Sequence, residues 1–576
     1  MKKIFKYIMS AAGAVSALSA CSFLDTEPRV ICSETFYNNE SELKYGLAGV
    51  YGVMNNEDFY GKVYSIFLSN IDDLCYFNRS TISSNYTVVN RHDASSSEIY
   101  SAWTEIYRGI RNANAFMDAV KDSPYDPDHK YYNEARFLRA YYHFILAQAW
   151  GDVPMKTRST TTPEEVMSES TPQLDVLKWV KSEMHDCIAL SDESLENAPS
   201  RVCRTTIQGI LARVCLFMAG ESVQSTPDEK KEYYKAAMEY AKAVIDSDLH
   251  HLNKDYSNIF INYIKDVYDT QYHESMWEVD FKGDRSSSDN WSNGRIGDEI
   301  GMQSSGQKGY EEFNCNYSTA RYNGSLKLWD LYWKEDRTED ETEVAIVNDK
   351  RQDWNMSPYN YAGSKSYAPY GTVEPGSDGK GESIASIDKA PYTYDNQVTS
   401  INPIAAPAKR NASKYRREVI YEGVKTSKSL YTTINYPILR YSDVLLMYAE
   451  AYNEYHGAPT KDVYDFVVEV RDRAGIKTRD FSDYSSQEAF RKLVRNERAR
   501  ELCFESLRKY DLIRWGEYVS AMNDYAKWAT DDRWVKDQLA PQVASIGSAV
   551  ELKHTVLPVP TVELGVNSLL KQNPLW

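Results

Sequence analysis

The sequence holds no Cys-x-x-Cys pair, no Gly-x-Ser-x-Gly elbow, no Gly-rich phosphate loop and no Gly-x-Gly-x-x-Gly run, and only nine histidines occur in 576 residues. Without paired thiols there is no signal for a dithiol redox centre or a thiolate zinc site. Without the glycine motifs there is none for a hydrolase nucleophile elbow, a nucleoside triphosphate or a dinucleotide. His273-Glu274-Ser275-Met276-Trp277 opens like a zinc-protease motif, but Trp277 stands where the second histidine ligand belongs. The histidines, including adjacent His250 and His251, show no ligand spacing and read as surface or capping residues.

Basic residues are also in the minority, 66 against 83 acidic ones, and the net charge of -17 argues against nucleic acid as a partner. Long apolar runs are missing from the body of the chain, where stretches such as Leu445 to Met447 are short and hemmed by charge, so nothing marks a membrane crossing there. The exception is the N-terminus. Lys2, Lys3 and Lys6 precede a small-residue and apolar stretch ending Leu18-Ser19-Ala20-Cys21, too short for a spanning helix. It reads as a secretory signal over residues 1–20, and its end resembles a bacterial lipoprotein box with Cys21 as the lipidated N-terminus. The mature protein is then expected to be tethered to membrane lipid through Cys21, with residues 21–31 as an extended tether. The other seven cysteines (Cys32, Cys75, Cys187, Cys203, Cys215, Cys315 and Cys503) are scattered, and they read as buried thiols rather than a disulfide scaffold.

Phenylalanine is scarce beside tyrosine: 17 Phe stand against 45 Tyr, with 12 Trp. Tyr and Trp combine a flat apolar face with a polar handle, which suits sugar rings, although most of the tyrosines are expected to sit half buried between helices with their hydroxyls in water.

Helical periodicity begins near Glu40 (Leu43, Leu47, Val50, Tyr51, Met54) and recurs at Trp103, Ile106, Tyr107, Ile110, and at Phe137, Ala140, Tyr141, Phe144. The latter helix should stop at Gly151-Asp152-Val153-Pro154. Further helices are expected over Thr205 to Ala219, capped by the threonine, over Lys231 to Ile245, over Tyr441 to Asn453, over Val463 to Ala474, and once or twice between Ser486 and Gly516. This supports an irregular array of antiparallel helix pairs. Residues 32–250 and 431–576 read as helical, and 251–430 as a loop-rich, aromatic-rich folded subdomain, since disorder is poor in aromatics. Glycoside hydrolysis needs only two carboxylates across a sugar, and Asp72-Asp73 beside Leu74 and Tyr76 reads as an exposed acidic and aromatic cluster that could serve it, contact hydroxyls, or cap a helix.

Six stretches in order carry a specific resemblance: FLDTEP (23–28), NEARFLRAYYHFILAQAWGDVP (133–154), PILRYSDVLLMYAEAYNE (437–454), VEVRDRAGI (468–476), RNERARELCFESLRKYDLIRW (495–515) and the closing QNPLW (572–576). They are similar to the RagB/SusD family of glycan-binding outer-membrane lipoproteins of Bacteroidetes. Leu575-Trp576 replaces the usual Gly and aromatic, and no family motif stands between about 283 and 430. The resemblance implies a mainly α fold with four tetratricopeptide-like helix pairs supporting an irregular half. It implies no catalysis and no cofactor, a surface role in capturing oligosaccharides, and delivery to a TonB-dependent transporter of the SusC type. Some members serve peptide or other nutrients instead, and a surface glycoside hydrolase or a purely structural adaptor are the other readings. Arg440, Tyr441, Asp443, Glu450, Arg498, Glu501 and Arg508 are expected to hold helices together through ion pairs.

By the same resemblance the ligand contacts come from the loop before the Trp-x-x-x-Tyr helix, here Asp73, Tyr76, Asn78, Arg79 and Tyr86, and from the irregular half, here Asn290, Trp291, Tyr317, Trp354 and Tyr359. Trp291 lies among Ser, Asn, Asp and Gly, where no periodicity asks for a core residue. Calcium would suit an acidic extracellular domain, but Asp280, Asp284 and Asp289, or Asp378 and Glu382, lack a complete ligand ladder, so none is specified.

Overall fold

The computed structural model describes residues 36–79, 87–188, 195, 198–281, 292, 294–304, 315–333, 349–360, 372–373, 384–385, 402–403, 407–418, 429–476, 478–530 and 540–576. Cys21, its tether and Cys32 lie outside these residues.

The first half is a stack of helices: α1 Glu40–Tyr51, α2 Ser97–Val120, α3 Lys130–Trp150, α4 Gln173–Ile188, α5 Arg204–Met218 and α6 Pro227–Asp246, each packed on the one before. Local signals set their ends. The Asn39 side chain accepts from the Glu42 backbone N–H at the start of α1, α3 stops at Gly151 with φ +78°, and α6 opens with a Thr226/Glu229 capping box and Pro227 in its first turn. Ala237 and Ala241 of α6 are fully buried, which lets neighbouring helices approach closely. The helix array is mainly α and paired in the tetratricopeptide manner.

After α6 the chain leaves the array, and the position next to α6 is filled by a helix from far along the sequence. This is α10, Tyr441–His456, which packs directly on α6 and on α12, Gln487–Leu502. Between them lie α7 Tyr256–Lys265, α8 Leu326–Trp333, α9 Lys350–Asn355 and short strands. Two antiparallel pairs join this irregular half to the helices: β1 Cys75–Phe77 with β3 Tyr322–Gly324, and β2 Ser275–Val279 with β4 Tyr436–Arg440. The remaining labelled helices are α11 Lys461–Arg473, α13 Arg508–Arg514, α14 Tyr518–Trp528 and α15 Ala540–Ser548. No helix among the described residues is long and apolar enough to cross a membrane.

Where the halves meet, the core is ionic. Arg440 donates to Glu274 at 3.0 Å, Glu501 at 2.9 Å and Glu505 at 2.7 Å, and Arg473 reaches Glu274 and Glu501. Arg351 bridges Asp349, Glu497 and Glu501, while Arg471 and Arg500 close on Glu497. Asp443 pairs with Arg213 and Arg498, Glu450 with Arg514, and Arg508 with Asp73. Arg440, Asp443, Glu450, Arg498, Glu501 and Arg508 therefore clamp helices through ion pairs, as the resemblance implied, whereas Tyr441 packs its ring on His250. Burial alone would raise the Glu501 carboxyl, but the guanidinium groups of Arg473, Arg440 and Arg351 outweigh it and hold it well below the usual range.

Several sequence expectations are corrected here. The α5 N-cap is Cys203 without a side-chain cap bond, and Thr205 instead places its hydroxyl 2.8 Å from His250 Nε2 inside the core. His92, His143, His250 and His554 are buried, not surface residues; His554 still closes a capping arrangement with Glu551. Many tyrosines are fully buried, with hydroxyls given to protein acceptors such as Tyr142 to Val50 O and Tyr436 to Glu505 O, because a buried hydroxyl that loses water needs a partner. The six described cysteines are buried thiols.

Candidate functional site

The nominated residues divide sharply. Asp73, expected in an exposed cluster with Asp72, is fully buried; its carboxylate takes Arg508 Nε at 2.8 Å and also pairs with Lys327. Burial would push it up, yet these two cations hold it well below the usual carboxylate range. Asp72 is buried beside it and is pushed up to about 7 by burial and the Asp73 charge. This pair is a fold clamp and not an exposed acidic ledge, because α13 and α8 close over it. Tyr76 is 2 % exposed and gives its hydroxyl to Ala408 O. Trp354, expected on the surface, is buried under the Arg416 guanidinium at 4.2 Å with Nε1 donating to Lys414 O at 3.1 Å. Tyr359 is buried with its hydroxyl on Glu418 at 2.8 Å. In each case the polar handle that suggested ligand contact is used to seat the ring in the interior.

Asn78, Arg79 and Tyr317 behave differently: all three stay half buried and come together. β1 ends at Phe77, and Asn78 continues its ladder by donating N–H to Arg321 O at 2.8 Å. The Asn78 amide donates to Ala320 O at 2.8 Å and Asn323 Oδ1 at 2.7 Å. Arg79 then folds back, giving Nη1 to Asn78 Oδ1 at 2.5 Å and Nη2 to Thr319 O at 2.7 Å. Arg417 holds the Tyr317 carbonyl from behind, leaving the phenol close enough to Arg79 to interact electrostatically. Beneath them, Asp298 accepts from Thr319 Oγ1 at 2.8 Å and pairs with Arg295, and Glu299 accepts from Arg321 at 2.8 Å. Burial raises Glu299 to about 7. Burial, then the adjacent Arg321 charge, lower the Arg79 pKa.

With the Asn78 amide used to hold Arg79, Ala320 and Asn323 in place, such a ledge offers an aromatic ring and guanidinium N–H groups, group types that recognise hydroxylated or acidic ligands. Sequence reasoning missed Thr319 and Arg321, which reach the ledge only through the β1/β3 pairing; nothing near them in the sequence marks it. Tyr86, Asn290 and Trp291 lie outside the described residues, as do Asp284, Asp289, Asp378 and Glu382. Asp280 accepts from the Tyr268 hydroxyl at 2.8 Å. Among the described residues no group of three or more His, Cys, Asp or Glu is placed to hold a metal. A groove of about 320 Å³ lies elsewhere, between α1 residues Lys44, Leu47 and Tyr51 and the Glu278 to Asp280 segment.

Residues 273–576 match the SusD family, and residues 22–216 match a SusD-like family described as starch-binding and associating with outer membrane. A SusD-like protein of Formosa agariphila is 22 % identical over 577 residues, covering 97 % of this chain and 96 % of its own. Among solved structures, a SusD homolog from Bacteroides thetaiotaomicron superposes with a TM-score of 0.75 at 24 % identity, covering 94 % of this chain and 98 % of its own. Surface glycan-binding protein A from the same species gives 0.67 at 17 % identity, covering 94 % and 100 %. With more than half the chain matched and the paired-helix fold in place, the protein belongs to the RagB/SusD family of Bacteroidetes outer-membrane glycan-binding proteins, a family that binds without catalysing.

Proposed function

We propose that this protein is a lipid-anchored binder at the cell exterior that captures oligosaccharides or polysaccharides and hands them to a TonB-dependent transporter of the SusC type. The observation that carries the reading is the half-buried Asn78, Arg79 and Tyr317 ledge, on a scaffold in which Asp73, Tyr76, Trp354 and Tyr359 are committed to the core. Family membership and the name of surface glycan-binding protein A support it. Asn290, Trp291 and Tyr86 complete the proposed contact set on the strength of their loop context in the sequence. Anchoring through Cys21 suits such a role, since a tethered binder beside its transporter works at high local concentration and does not need tight intrinsic affinity.

The test is a panel of neutral and acidic glycans presented to the full-length protein in detergent, with co-purification of an outer-membrane barrel in parallel. Glycan binding that weakens in Trp291→Ala and Tyr317→Ala supports the reading. Binding of peptides but of no glycan overturns it in favour of another nutrient, and release of reducing ends would make it a hydrolase. Labelled palmitate incorporated by the wild type and not by Cys21→Ala checks the anchor.

A further inference from the structure

We propose that the ligand of the Arg79 ledge is an acidic glycan, its carboxylate or sulfate group held between the guanidinium groups of Arg79 and Arg321 while Tyr317 meets the sugar ring. The inference rests on the glycan-binding reading and specifies its substrate class.

The β1/β3 ladder, continued from Asn78 N–H to Arg321 O, sets Asn78 opposite Arg321, and the Arg79 side chain folds back onto Asn78 Oδ1, which brings its guanidinium near enough to that of Arg321 to feel its charge. Each guanidinium keeps N–H groups that its protein partners do not use. Arg79 spends one N–H of Nη1 on Asn78 and one of Nη2 on Thr319. Arg321 spends Nη1 on Glu299. The other N–H groups of both have no partner among the described residues. Two forks with unspent donors, oriented by the backbone, match the planar or tetrahedral oxygens of a carboxylate or sulfate, which accept bidentately.

The charge balance points the same way. The chain is strongly acidic overall at -17, yet this spot gathers Arg79, Arg295 and Arg321, with Glu57 taken up by Arg295 and with Asp298 and Glu299 beneath, and Arg79 pairs with no carboxylate among the described residues. Both carboxylates lie wholly buried beneath the ledge, Asp298 committed to Arg295 and Thr319, and Glu299 to Arg321 and Arg295. Two like charges at a half-buried surface repel each other until an anion sits between them. A neutral sugar would leave that repulsion in place and the forks hydrated. An acidic one removes both costs, and the half-exposed phenol of Tyr317 supplies a flat face for the ring that bears the acid.

The experiment is calorimetry on the full-length protein in detergent with four probes: an oligogalacturonide, its methyl ester, a sulfated galactan oligosaccharide and a neutral β-galactan oligosaccharide. We expect at least one acidic probe to bind tenfold or more tightly than the neutral one, and the choice between oligogalacturonide and sulfated galactan separates carboxylate from sulfate recognition. Arg79→Gln and Arg321→Gln, each checked for an unchanged melting profile, should weaken that binding tenfold or more, with Arg79→Lys retaining part of it. The methyl ester removes the charge without touching the protein and should bind as weakly as the neutral galactan. Equal binding of neutral and acidic probes, or acidic binding unaffected by both Gln variants, overturns the inference and leaves the glycan reading standing. Failure of all four probes also overturns it; binding within the wider glycan panel then preserves the broader reading, and silence there ends both.

Discussion

Arg440 Nη1 lies 2.9 Å from Glu501 Oε1, and neither side chain has surface open to solvent. Arg440 leaves β4 just where α10 begins and Glu501 sits near the end of α12, so this contact fastens α10 to α12, and the Arg440 bond to Glu274 ties both to the irregular half. Taking the charges out of water is costly, and the bonds to Glu274, Glu505 and Ser442 are what make it tolerable.

Removing one partner should therefore cost far more than an exposed pair would. Arg440→Met takes from the buried Glu274, Glu501 and Glu505 the cation they share, leaving them to Arg473, Arg351 and Lys414, and is expected to lower unfolding free energy by about 3–5 kcal/mol. Lys461→Met breaks only an exposed pair with Asp465 and should cost under about 1 kcal/mol. Urea unfolding of the two variants compares them; equal midpoints would mean the cluster does not clamp the fold.

Trp354 and Tyr317 were nominated for the same role and should now separate. Trp354→Ala empties a fully packed site beneath Arg416 and should cost about 3–5 kcal/mol in stability. Tyr317→Ala should change stability by less than about 1 kcal/mol and weaken glycan binding instead. Thermal melts and calorimetry run on both variants give the split.

His143 sets a pH dependence of known sign. Its ring lies inside α3 with Nδ1 2.9 Å from Arg139 O and Nε2 accepting the Lys156 backbone N–H at 3.2 Å, so the neutral ring is fully satisfied. Burial lowers its pKa to about 4. The folded ring binds a proton less readily than the unfolded one, so the stability it contributes is complete above the ordinary value of 6.5 and drains away as pH falls toward 4, by about 1.4 kcal/mol per pH unit. An NMR titration of His143 should find its midpoint near 4; a midpoint above 6 would remove the effect.

Two glycines should respond differently to alanine. At Gly220 a Cβ would meet the Arg514 carbonyl oxygen at 2.7 Å and its Cα at 2.9 Å, against backbone fixed by Glu450 and Asp511. At Gly457 the space is open and only the positive φ of +80° resists. Gly220→Ala should cost about 1–3 kcal/mol and Gly457→Ala about 1 kcal/mol, and denaturant midpoints rank them.

The helices were legible because they are local. The stripe Leu43, Leu47, Val50 and the stop at Gly151 act within a turn or two, so local pattern located them, while the Thr226 cap was not read and the helix expected from Lys231 begins at Pro227. The candidate ledge was half legible. Asn78 and Arg79 were reachable from the loop before the Trp-x-x-x-Tyr helix, and Tyr317 from its setting in the irregular half. Arg321 was not, since it arrives across a strand pair whose two strands lie far apart in the sequence and in which no residue type announces its partner. Loop aromatics misled for a related reason: Tyr76, Trp354 and Tyr359 look alike in sequence whether their polar edges face water or a backbone carbonyl.

Alone, the sequence determined the helical scaffold, the acidic character and the family, because each is written in composition or in contiguous residues read within one helix. The tertiary structure decided which aromatics are core and which stay open, and that Asp73 belongs to Arg508 and Lys327. It also brought Arg79 beside Arg321 while placing α10 against α6. These are contacts between distant segments, fixed by burial and charge pairing that no local pattern encodes.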